Sequence, residues 1–422
     1  MSRITVFVMI ALLTAARPMR AADGPTSRPA RPPVSARTSG INKTSPGLYV
    51  ENGVLMKDGR PFRGIGINYF NAFIRDLGRE RDTSYREGLQ VLHDRGIPFI
   101  RFALNDFWPA GWALFVHDRP EFYARLDAFV AEAERLGIGL IPSFVWQFGV
   151  VPDVAGEPID QWGNGDSQTH VLFKQYVTGV VGRYAKSPTF WAWEFGNEFR
   201  LHIDLHDPKL GVPPTAPKLG TPATRGSRDK LQRGAVEFAQ RRFARIVRTI
   251  DPDRLLVTGD SLPRRSAYHL MTRRNWERDT QAQFAAMLLR DNPDPYDTLS
   301  GHLYPQEDRE FFPERASLKE LLSVCQDVAT ASGKPFFLGE FGDTRERGLD
   351  KSAEAIRELL DAVVSLRIPL SAVWVYDLSL QKDTYSITAD NEGAWVLDAI
   401  RQANRRLQAD LPESAVPSTA PG

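Results

Sequence analysis

The sequence predicts an α/β protein, a (β/α)8 or TIM barrel that forms one large domain after a short N-terminal hairpin. Eight short runs rich in β-branched and aromatic residues alternate with longer amphipathic runs, the order expected of repeated strand–helix units. Most of each short run is apolar, as in parallel strands covered on both faces. The length of 422 residues suits a barrel with insertions. A doubly wound sheet is the alternative, but it usually has fewer strands, and no glycine-rich phosphate-binding motif follows the first strand.

The predicted elements start with a hairpin over residues 48–62, whose turn is Asp58-Gly59. Amphipathic patterns separate the strands, and the clearest covers residues 123–137 and ends on a glycine C-cap. Insertions at 199–229 and 262–297 follow the fourth and fifth strands, on the side of the barrel where such folds keep their active sites. The eight strands are predicted at residues 63–70, 98–104, 139–145, 190–198, 254–261, 298–305, 335–343 and 371–378.

The composition is that of a globular protein, with 42% hydrophobic and 25% charged residues. The net charge of +1 provides no electrostatic basis for binding nucleic acid or an anionic membrane. The single cysteine, Cys325, excludes an intrachain disulfide and a cysteine-based metal site. Its helical surroundings predict a buried, unreactive thiol.

Both ends of the chain differ from the middle. An arginine precedes an apolar run that ends in small residues, so residues 1–22 are predicted to be a signal peptide of a secreted or periplasmic protein, which leaves no membrane association after cleavage. An uncleaved membrane anchor is the alternative. Residues 23–46, rich in Pro, Ser and Arg, predict a disordered linker, and residues 409–422 a similar tail. The barrel domain is therefore predicted over 47–408.

Polar residues interrupt the apolar strands near their C-terminal ends. Residues 191–199 read WAWEFGNEF, so Asn197 and Glu198 end the fourth strand, and Glu340 stands near the end of the seventh. Because the strand ends of a closed barrel converge on one mouth, the two carboxyl groups are expected to face each other. Further polar or aromatic residues at or near strand ends are Arg101, Trp146, His302, Tyr304 and Trp374.

Two facing carboxyl groups are what cleavage of a glycosidic bond requires. One must be protonated to assist the leaving oxygen, and the other must be ionised to attack the sugar or to activate water. Desolvation and mutual repulsion can separate their pKa values enough for both forms to coexist near neutral pH. Glu194, in the middle of the fourth strand, points away from the mouth and is expected to be a buried partner of a barrel arginine or hydroxyl group.

These motifs, in this order, resemble glycoside hydrolase family 5, whose members are retaining barrel enzymes with catalytic glutamates on strands four and seven. The resemblance covers residues 48–405. The motifs that carry it are Asn197-Glu198, His302-x-Tyr304, the GEFG sequence around Glu340, Arg101 and Trp374. It implies that Glu198 is the acid/base, that Glu340 is the nucleophile, and that Asn197 bonds the sugar 2-hydroxyl.

The resemblance also implies roles around the two glutamates. Arg101 and Tyr304 are expected to orient and polarise Glu340. His302 is expected to line the site near the acid/base, and Trp374 to form the floor under the reacting sugar. Trp146 stands near the place where many members have a histidine at the end of strand three; mannanase-like members often lack that histidine too.

The resemblance therefore implies a retaining hydrolase of β-linked polysaccharides or oligosaccharides, with β-mannan as first expectation and β-glucan as second. It implies a monomer with no cofactor and no metal. An exo-acting β-glycosidase and a non-catalytic carbohydrate-binding barrel are the alternatives. His202 and His206 have a spacing that could hold a metal, but a solvated loop is the expected reading. A metal-dependent hydrolase on this fold would need three or more clustered His or Asp ligands at strand ends, and His302 alone is found there.

Overall fold

The computed structural model of the protein describes residues 45–207, 209–305 and 311–411. The predicted signal peptide, residues 23–44 of the predicted linker and residues 412–422 of the predicted tail lie outside these ranges.

The core of the described chain is a parallel eight-stranded sheet rolled into a nearly closed barrel, which confirms the predicted fold class. A small antiparallel sheet of β1 (Leu48–Glu51), β2 (Val54–Lys57) and β3 (Arg60–Pro61) precedes it. The barrel strands are β4 (Gly64–Asn68), β5 (Phe99–Ala103), β6 (Gly139–Val145), β7 (Ala192–Gly196), β8 (Leu255–Val257), β9 (Leu299–Leu303), β10 (Phe336–Phe341) and β11 (Leu370–Val373). They pair in the order β8-β7-β6-β5-β4-β11-β10-β9.

Helices follow every barrel strand in the described ranges. They are α1 (Tyr85–Asp94), α2 (Ala113–His117), α3 (Arg119–Arg135), α4 (Val150–Ala155), α5 (Gln168–Tyr184), α6 (Arg233–Ile250), α7 (Ala267–Arg273), α8 (Gln281–Asp291), α9 (Leu318–Ser332), α10 (Leu349–Ser365) and α11 (Trp395–Ala409). Gly137 follows α3 with φ 66°, as the predicted C-cap requires. Cys325 is buried in α9, and burial raises the pKa of its thiol. None of the described helices is long and apolar enough to cross a membrane.

The barrel closes between β8 and β9 through side chains as well as backbone. Oδ1 of Asn292 accepts a hydrogen bond from the Thr258 hydroxyl at 2.7 Å and another from the Ser300 amide at 3.0 Å. The amide of Leu256 donates to a carboxylate oxygen of Asp297 at 2.8 Å, and the amide of Asp297 donates back to the Leu256 carbonyl at 3.0 Å. These bonds satisfy edge groups that would otherwise be left without a partner.

The N-terminal segment is a three-stranded meander, so the prediction of a single hairpin was incomplete. The turn at Asp58-Gly59 is present, but Asn52-Gly53 forms a second turn, and all four residues have positive φ. Such Asx-Gly pairs suit tight hairpin turns, and the sequence contains both. Leu48 and Leu55 of the meander pack against barrel residues such as Phe99, Trp191 and Leu370, so the meander covers the N-terminal end of the barrel.

Several predicted strands extended past their observed ends at the mouth. The eighth, predicted to residue 378, ends at Val373, and the fourth and fifth have a clear backbone cause. The fourth strand ends at Gly196 because Glu198 adopts a left-handed backbone conformation, with φ 54°. The fifth ends at Val257 because Gly259 also has positive φ, 73°. Apolar runs predict strands well but contain no signal for the residue at which the backbone turns.

Candidate active site

The C-terminal ends of the barrel strands bring the two predicted glutamates together. Glu198 follows β7, and Glu340 lies in β10. One oxygen of each lies within 4.8 Å of the other and of a ring nitrogen of His302. Retaining glycosidases hold their carboxyl groups about 5–5.5 Å apart, whereas inverting enzymes need about 6.5–9.5 Å. The spacing here lies on the retaining side.

Arg101 is fully buried at the centre of the site and organises it. Its Nη1 donates to Glu340 at 2.7 Å, and its guanidinium approaches Glu194 to within 2.8 Å. Glu194 is thus the buried arginine partner that was expected. Two carboxylates and two amide oxygens surround one cation, which compensates its burial. The remaining acceptors are Asn68 at 3.0 Å and Asn197 at 2.8 Å.

Glu340 is held as a carboxylate by two strong donors. Oε1 accepts from Arg101, and Oε2 accepts from the Tyr304 hydroxyl at 2.7 Å. The second hydrogen bond is a contact through which Tyr304 can orient Glu340, as the family resemblance implied. Burial and the two nearby glutamates raise the pKa of Tyr304 well above its ordinary value, so it remains a donor. A carboxyl group that accepts from a guanidinium and from a fixed hydroxyl is held in one orientation.

Glu198 sits in a different environment. Burial raises the pKa of Glu198 to about 7, although the positive charges of Arg101 and Arg264 work in the opposite direction. About 23% of its side chain remains exposed at the mouth. Its nearest described polar contact in the site is Nδ1 of His302, 3.0 Å from Oε1. This carboxyl group can therefore hold or release a proton near neutral pH.

His302 lies between the two glutamates as a neutral ring. Burial lowers the pKa of His302 to about 4, against the effect of the nearby Glu340. Its Nδ1 is also 3.7 Å from Glu340, while its Nε2 is buried without a partner among the described residues. A neutral imidazole shapes the site without adding a positive charge that would keep Glu198 ionised.

The orientation of Asn197 follows from Arg101. Because the guanidinium donates to Oδ1 of Asn197, the amide nitrogen of Asn197 is left to donate elsewhere. No described residue accepts from that nitrogen, and it is not buried. It offers a donor toward the open mouth beside the two glutamates.

Aromatic rings form one wall of the mouth. Trp374 is 5% exposed and donates its indole N–H to Gln381 at 2.8 Å. Trp146 stacks against it with ring centres 5.9 Å apart and an angle of 28°, and the Arg101 guanidinium lies 4.7 Å from the Trp146 ring. Phe70 packs edge-on against Trp146. Trp146 therefore braces Arg101 and Trp374.

Two loop tryptophans and the histidine pair of residues 202 and 206 have other surroundings. The side chains of Trp112 and Trp162 are buried, and each donates its indole N–H to a backbone carbonyl, so neither is a platform for a sugar. His202 packs on the ring of Phe148, whereas Nε2 of His206 lies 3.1 Å from the Leu270 carbonyl. The two histidines share no described metal-binding group.

Within the described ranges, the only group of three or more potential metal ligands is Glu198, His302 and Glu340. Both oxygens of Glu340 are already occupied by Arg101 and Tyr304. A guanidinium adjoining the group also repels a cation. The arrangement thus suits proton transfer and nucleophilic attack better than metal binding.

Sequence reasoning missed three contributors to the site. Arg264 follows β8 and acts electrostatically on Glu198, Asp260 accepts a bond from the backbone of the turn after Glu198, and Gln381 fixes Trp374. Arg264 and Asp260 belong to the loop after the fifth strand, which the sequence marked as long. Their proximity to Glu198 depends on how this loop folds back, and no motif encodes that.

The family assignment agrees with this geometry. The family model for cellulase, glycosyl hydrolase family 5, matches residues 55–376, well over half of the chain. The chain belongs to glycosyl hydrolase family 5. The match covers every barrel strand as well as Glu198 and Glu340, so the resemblance inferred from the motifs is confirmed.

Relatives within the family are more distant. A mannan endo-1,4-β-mannosidase A of Podospora anserina is 30% identical over 158 residues, which are 34% of this chain and 42% of that protein. This chain thus spans less than half the length of that relative. The fold resembles an endo-1,4-β-mannanase of Rhizomucor miehei, with TM-score 0.59, 16% identity, and coverage of 86% of this chain and 99% of that one. It also resembles the exo-β-1,4-mannosidase Op5Man5 of an Opitutaceae bacterium, with TM-score 0.58, 17% identity, and coverage of 87% and 63%.

Proposed function

We propose that this family 5 protein is a retaining β-glycoside hydrolase that acts on β-mannan, with β-glucan as the second candidate. The observation that carries the proposal is a pair of carboxyl groups with oxygens within 4.8 Å of each other. The two groups differ in their hydrogen-bond partners and in the effect of burial on them. Glu340 is tied to a cation and a hydroxyl, while burial raises the pKa of Glu198 to about 7. The mannosidase relatives favour mannan as substrate.

In the first step, the carboxylate of Glu340 attacks the anomeric carbon and forms a glycosyl–enzyme bond. The glycosidic bond breaks at the same time, and Glu198 transfers its proton to the departing oxygen. Arg101 and Tyr304 hold the nucleophile in position. Asn197, whose amide oxygen is taken by Arg101, donates from its nitrogen to the sugar 2-hydroxyl.

In the second step, Glu198 is an ionised carboxylate and removes a proton from an incoming water. The water oxygen bonds to the anomeric carbon, the bond to Glu340 breaks, and the β-configuration is retained. His302 remains neutral beside Glu198 during the cycle. Trp374 provides the floor under the reacting sugar, and Trp146 supports that floor from behind. The reaction needs no cofactor.

The mode of attack has two candidates. The insertions after β7 and β8 stand at the mouth, where long loops either line an open cleft or close one end of it. Endo-acting and exo-acting mannosidases both occur among the structural neighbours. We retain endo-cleavage as the first candidate and exo-cleavage as the second.

The remaining expectations from the sequence stay proposals. Residues 47–408 are proposed to form the catalytic domain of a monomer. A signal peptide over residues 1–22 would direct the protein to the periplasm or outside the cell. The linker predicted over 23–46 would end before Ser45, which is buried, and the tail predicted over 409–422 would start after α11, which ends at Ala409. The partner is a β-linked polysaccharide or oligosaccharide, and no nucleic acid or membrane partner is proposed.

A substrate screen tests the function. Purified protein is incubated with mannan, β-glucan, xylan and chitin, and the products are sized. We expect release of reducing sugar from mannan first, as oligosaccharides for endo-cleavage and as single units for exo-cleavage. Tight binding to mannan without hydrolysis would instead identify a non-catalytic carbohydrate-binding barrel, and release from glucan alone would reverse the order of substrates.

A further inference from the structure

The backbone turn that carries Glu198 is unusual. Glu198 has a left-handed conformation, and a single 3₁₀ turn, Phe199–His202, follows at once. The Leu201 amide donates to the Glu198 carbonyl at 3.0 Å. The residue after Glu198 is Phe199, so no pyrrolidine ring restricts the backbone there. We call residues 198–202 the Glu198 turn.

The loop after β8 holds the Glu198 turn at three points. The Glu198 amide donates to the Gly259 carbonyl at 3.0 Å, and the Arg200 amide donates to Oδ1 of Asp260 at 3.1 Å. The third point is a short hydrogen bond from Nη2 of Arg264 to the Leu201 carbonyl. Side chains and backbone of a neighbouring loop thus provide the restraint that the local sequence lacks.

Arg264 differs from the other arginine near the glutamates. Arg101 is matched by Glu194 and Glu340, each in direct contact. For Arg264, no carboxylate of the described residues lies within ion-pair distance. Its Nε is buried and finds no hydrogen-bond partner in the described part of the chain. Arg264 therefore brings a positive charge to this side of the mouth that the surrounding described residues do not neutralise.

Glu198 is the acidic group that this charge affects. Burial lowers the pKa of Arg264 to about 10, and Glu198 acts in the opposite direction, while Arg264 in turn lowers the pKa of Glu198. The other ionisable groups around Glu198 are Arg101, Glu340, His302 and Tyr304. His202, on the Glu198 turn, faces Arg264, and burial lowers the pKa of His202 to about 4, so it adds no charge near neutral pH. His302 is neutral and Tyr304 keeps its proton, so Arg264 is the cation whose charge is not already shared with another carboxylate.

We propose that Arg264 is a positioning residue for Glu198: it anchors the Glu198 turn through Leu201 and compensates the carboxylate that forms when Glu198 gives up its proton. The inference rests on the proposed acid/base role of Glu198. In the first step, Glu198 passes from neutral to negative in a partly desolvated site, and a nearby fixed cation lowers the free energy of that charged state. In the second step, the same cation keeps Glu198 ionised, as a base must be.

The test compares the pH dependence of kcat/KM on mannooligosaccharides for Arg264→Gln and Arg264→Lys. Activity requires protonated Glu198, so the alkaline limb marks its pKa. Arg264→Gln should move this limb upward by about one pH unit, the size expected when one nearby opposite charge is removed. It should also lower kcat near neutral pH on an activated aryl mannoside, because less Glu198 is ionised as the base. Arg264→Lys keeps the charge and should leave the limb in place.

Arg273→Gln is the matched control, because it removes one positive charge from the same loop region at a side chain that is 60% exposed. It should leave the limb unmoved. An unshifted limb in Arg264→Gln, or an equal shift in Arg264→Lys, would overturn the proposal. If Arg264→Gln fails to fold, Arg264→Lys alone decides, since a shifted limb there contradicts the compensating charge. Failure of the proposed function is distinguished by Glu198→Ala, which would then keep full activity.

Discussion

At the scale of single residues, the two carboxyl groups differ because their neighbours differ. Glu340 accepts one hydrogen bond from Arg101 and another from Tyr304, which fix its orientation. Glu198 has a neutral histidine beside it, and burial favours its protonated form. One site thus contains a carboxyl group that is fixed by two donors and another whose pKa burial raises to about 7.

Kinetics of two alanine variants should separate these roles. Glu340→Ala removes the nucleophile, so activity should fall by several orders of magnitude on every substrate. Glu198→Ala should still react with a substrate that has a good leaving group, giving a burst followed by slow turnover. Azide needs no general base, so it should rescue Glu198→Ala and yield the β-glycosyl azide, identified by NMR. An α-azide from Glu198→Ala would reverse the assignment, and full activity of either variant would exclude the mechanism.

Glu198 should also weaken the fold at neutral pH. Its pKa is about 7 in the folded protein against an ordinary 4.5, so the folded state binds the proton more tightly than the unfolded state. The free energy of unfolding therefore contains a favourable contribution from protonated Glu198 that is fully present below pH ~4.5. This contribution is lost as the pH rises through about 7, where folded Glu198 ionises. Glu198→Gln removes the titration and should be more stable than the parent at pH 8, by at most about 3 kcal/mol.

Denaturant unfolding of both proteins at pH 4, 6 and 8 measures this difference. The increase in unfolding free energy caused by Glu198→Gln should become larger between pH 4 and 8. Glu340→Gln is the control, because it removes a carboxylate from buried Arg101 and should destabilise the protein at neutral pH. A pH-independent difference for Glu198→Gln would contradict the assigned pKa.

At the scale of elements, the end of β8 is constrained by its neighbour β7. Gly259 has φ 73°, and a Cβ atom there would lie 1.8 Å from the Gly196 carbonyl oxygen and 2.7 Å from the Glu194 carboxyl carbon. Both contacts are far inside van der Waals distance, and neither backbone nor the buried ion pair can move freely. Only glycine allows the two loops to approach closely enough to support the Glu198 turn.

Gly259→Ala should therefore destabilise the protein by more than about 3 kcal/mol, since it adds a buried clash to an unfavourable backbone conformation. Gly137→Ala is the matched control: its φ is 66°, but no atom lies within 4 Å of the added Cβ. That substitution should lower the unfolding free energy by only about 1–2 kcal/mol, because the one cost is that of holding alanine in the left-handed backbone conformation. Both effects are measured as changes in unfolding free energy. Equal decreases for the two variants would show that the close approach of β7 and β8 does not require glycine at position 259.

At the scale of the whole molecule, contacts with the barrel start close to Ser45. Ser45 is 7% exposed, and the Leu48 amide donates to the Trp191 carbonyl at 2.9 Å. Leu48 and Leu55 then cover the bottom of the barrel. The meander is thus part of the hydrophobic core. The linker was predicted over residues 23–46, and the burial of Ser45 shows that this prediction extended too far. The composition of residues 23–44 still predicts a segment that adds nothing to the core.

Two truncations should separate these parts. A protein that begins at Ser45 should keep the activity and melting temperature of the chain that begins at residue 23. A protein that begins at Arg60 loses Leu48 and Leu55 and should melt several degrees lower, because buried apolar surface becomes exposed. A large loss of stability in the first truncation would show that residues 23–44 dock on the barrel.

The sequence alone determined the barrel, the order of its strands and the identity of the two glutamates. Eight apolar runs at regular intervals left few other folds, and polar residues at the ends of strands four, six and seven marked the mouth. The Tyr304–Glu340 bond was also predictable, because residues two apart at a strand end point the same way. Local pattern and spacing were sufficient for the barrel and the two glutamates, whereas the family resemblance supplied Glu340 as the partner of Tyr304.

Only the tertiary structure decided which neighbours tune each carboxyl group. Arg264, Asp260 and Gly259 reach the Glu198 turn through a loop that bends back, and Trp146 supports Arg101 from the end of another strand. The strand lengths at the mouth were decided in the same way, by residues with positive φ. Such contacts join residues that are distant in sequence. How closely these residues approach Glu198 determines how far it is buried and how strongly nearby charges act on it. The sequence can name Glu198 as an acid, but its proton affinity depends on the desolvation and the positive charges that the assembled barrel brings to it.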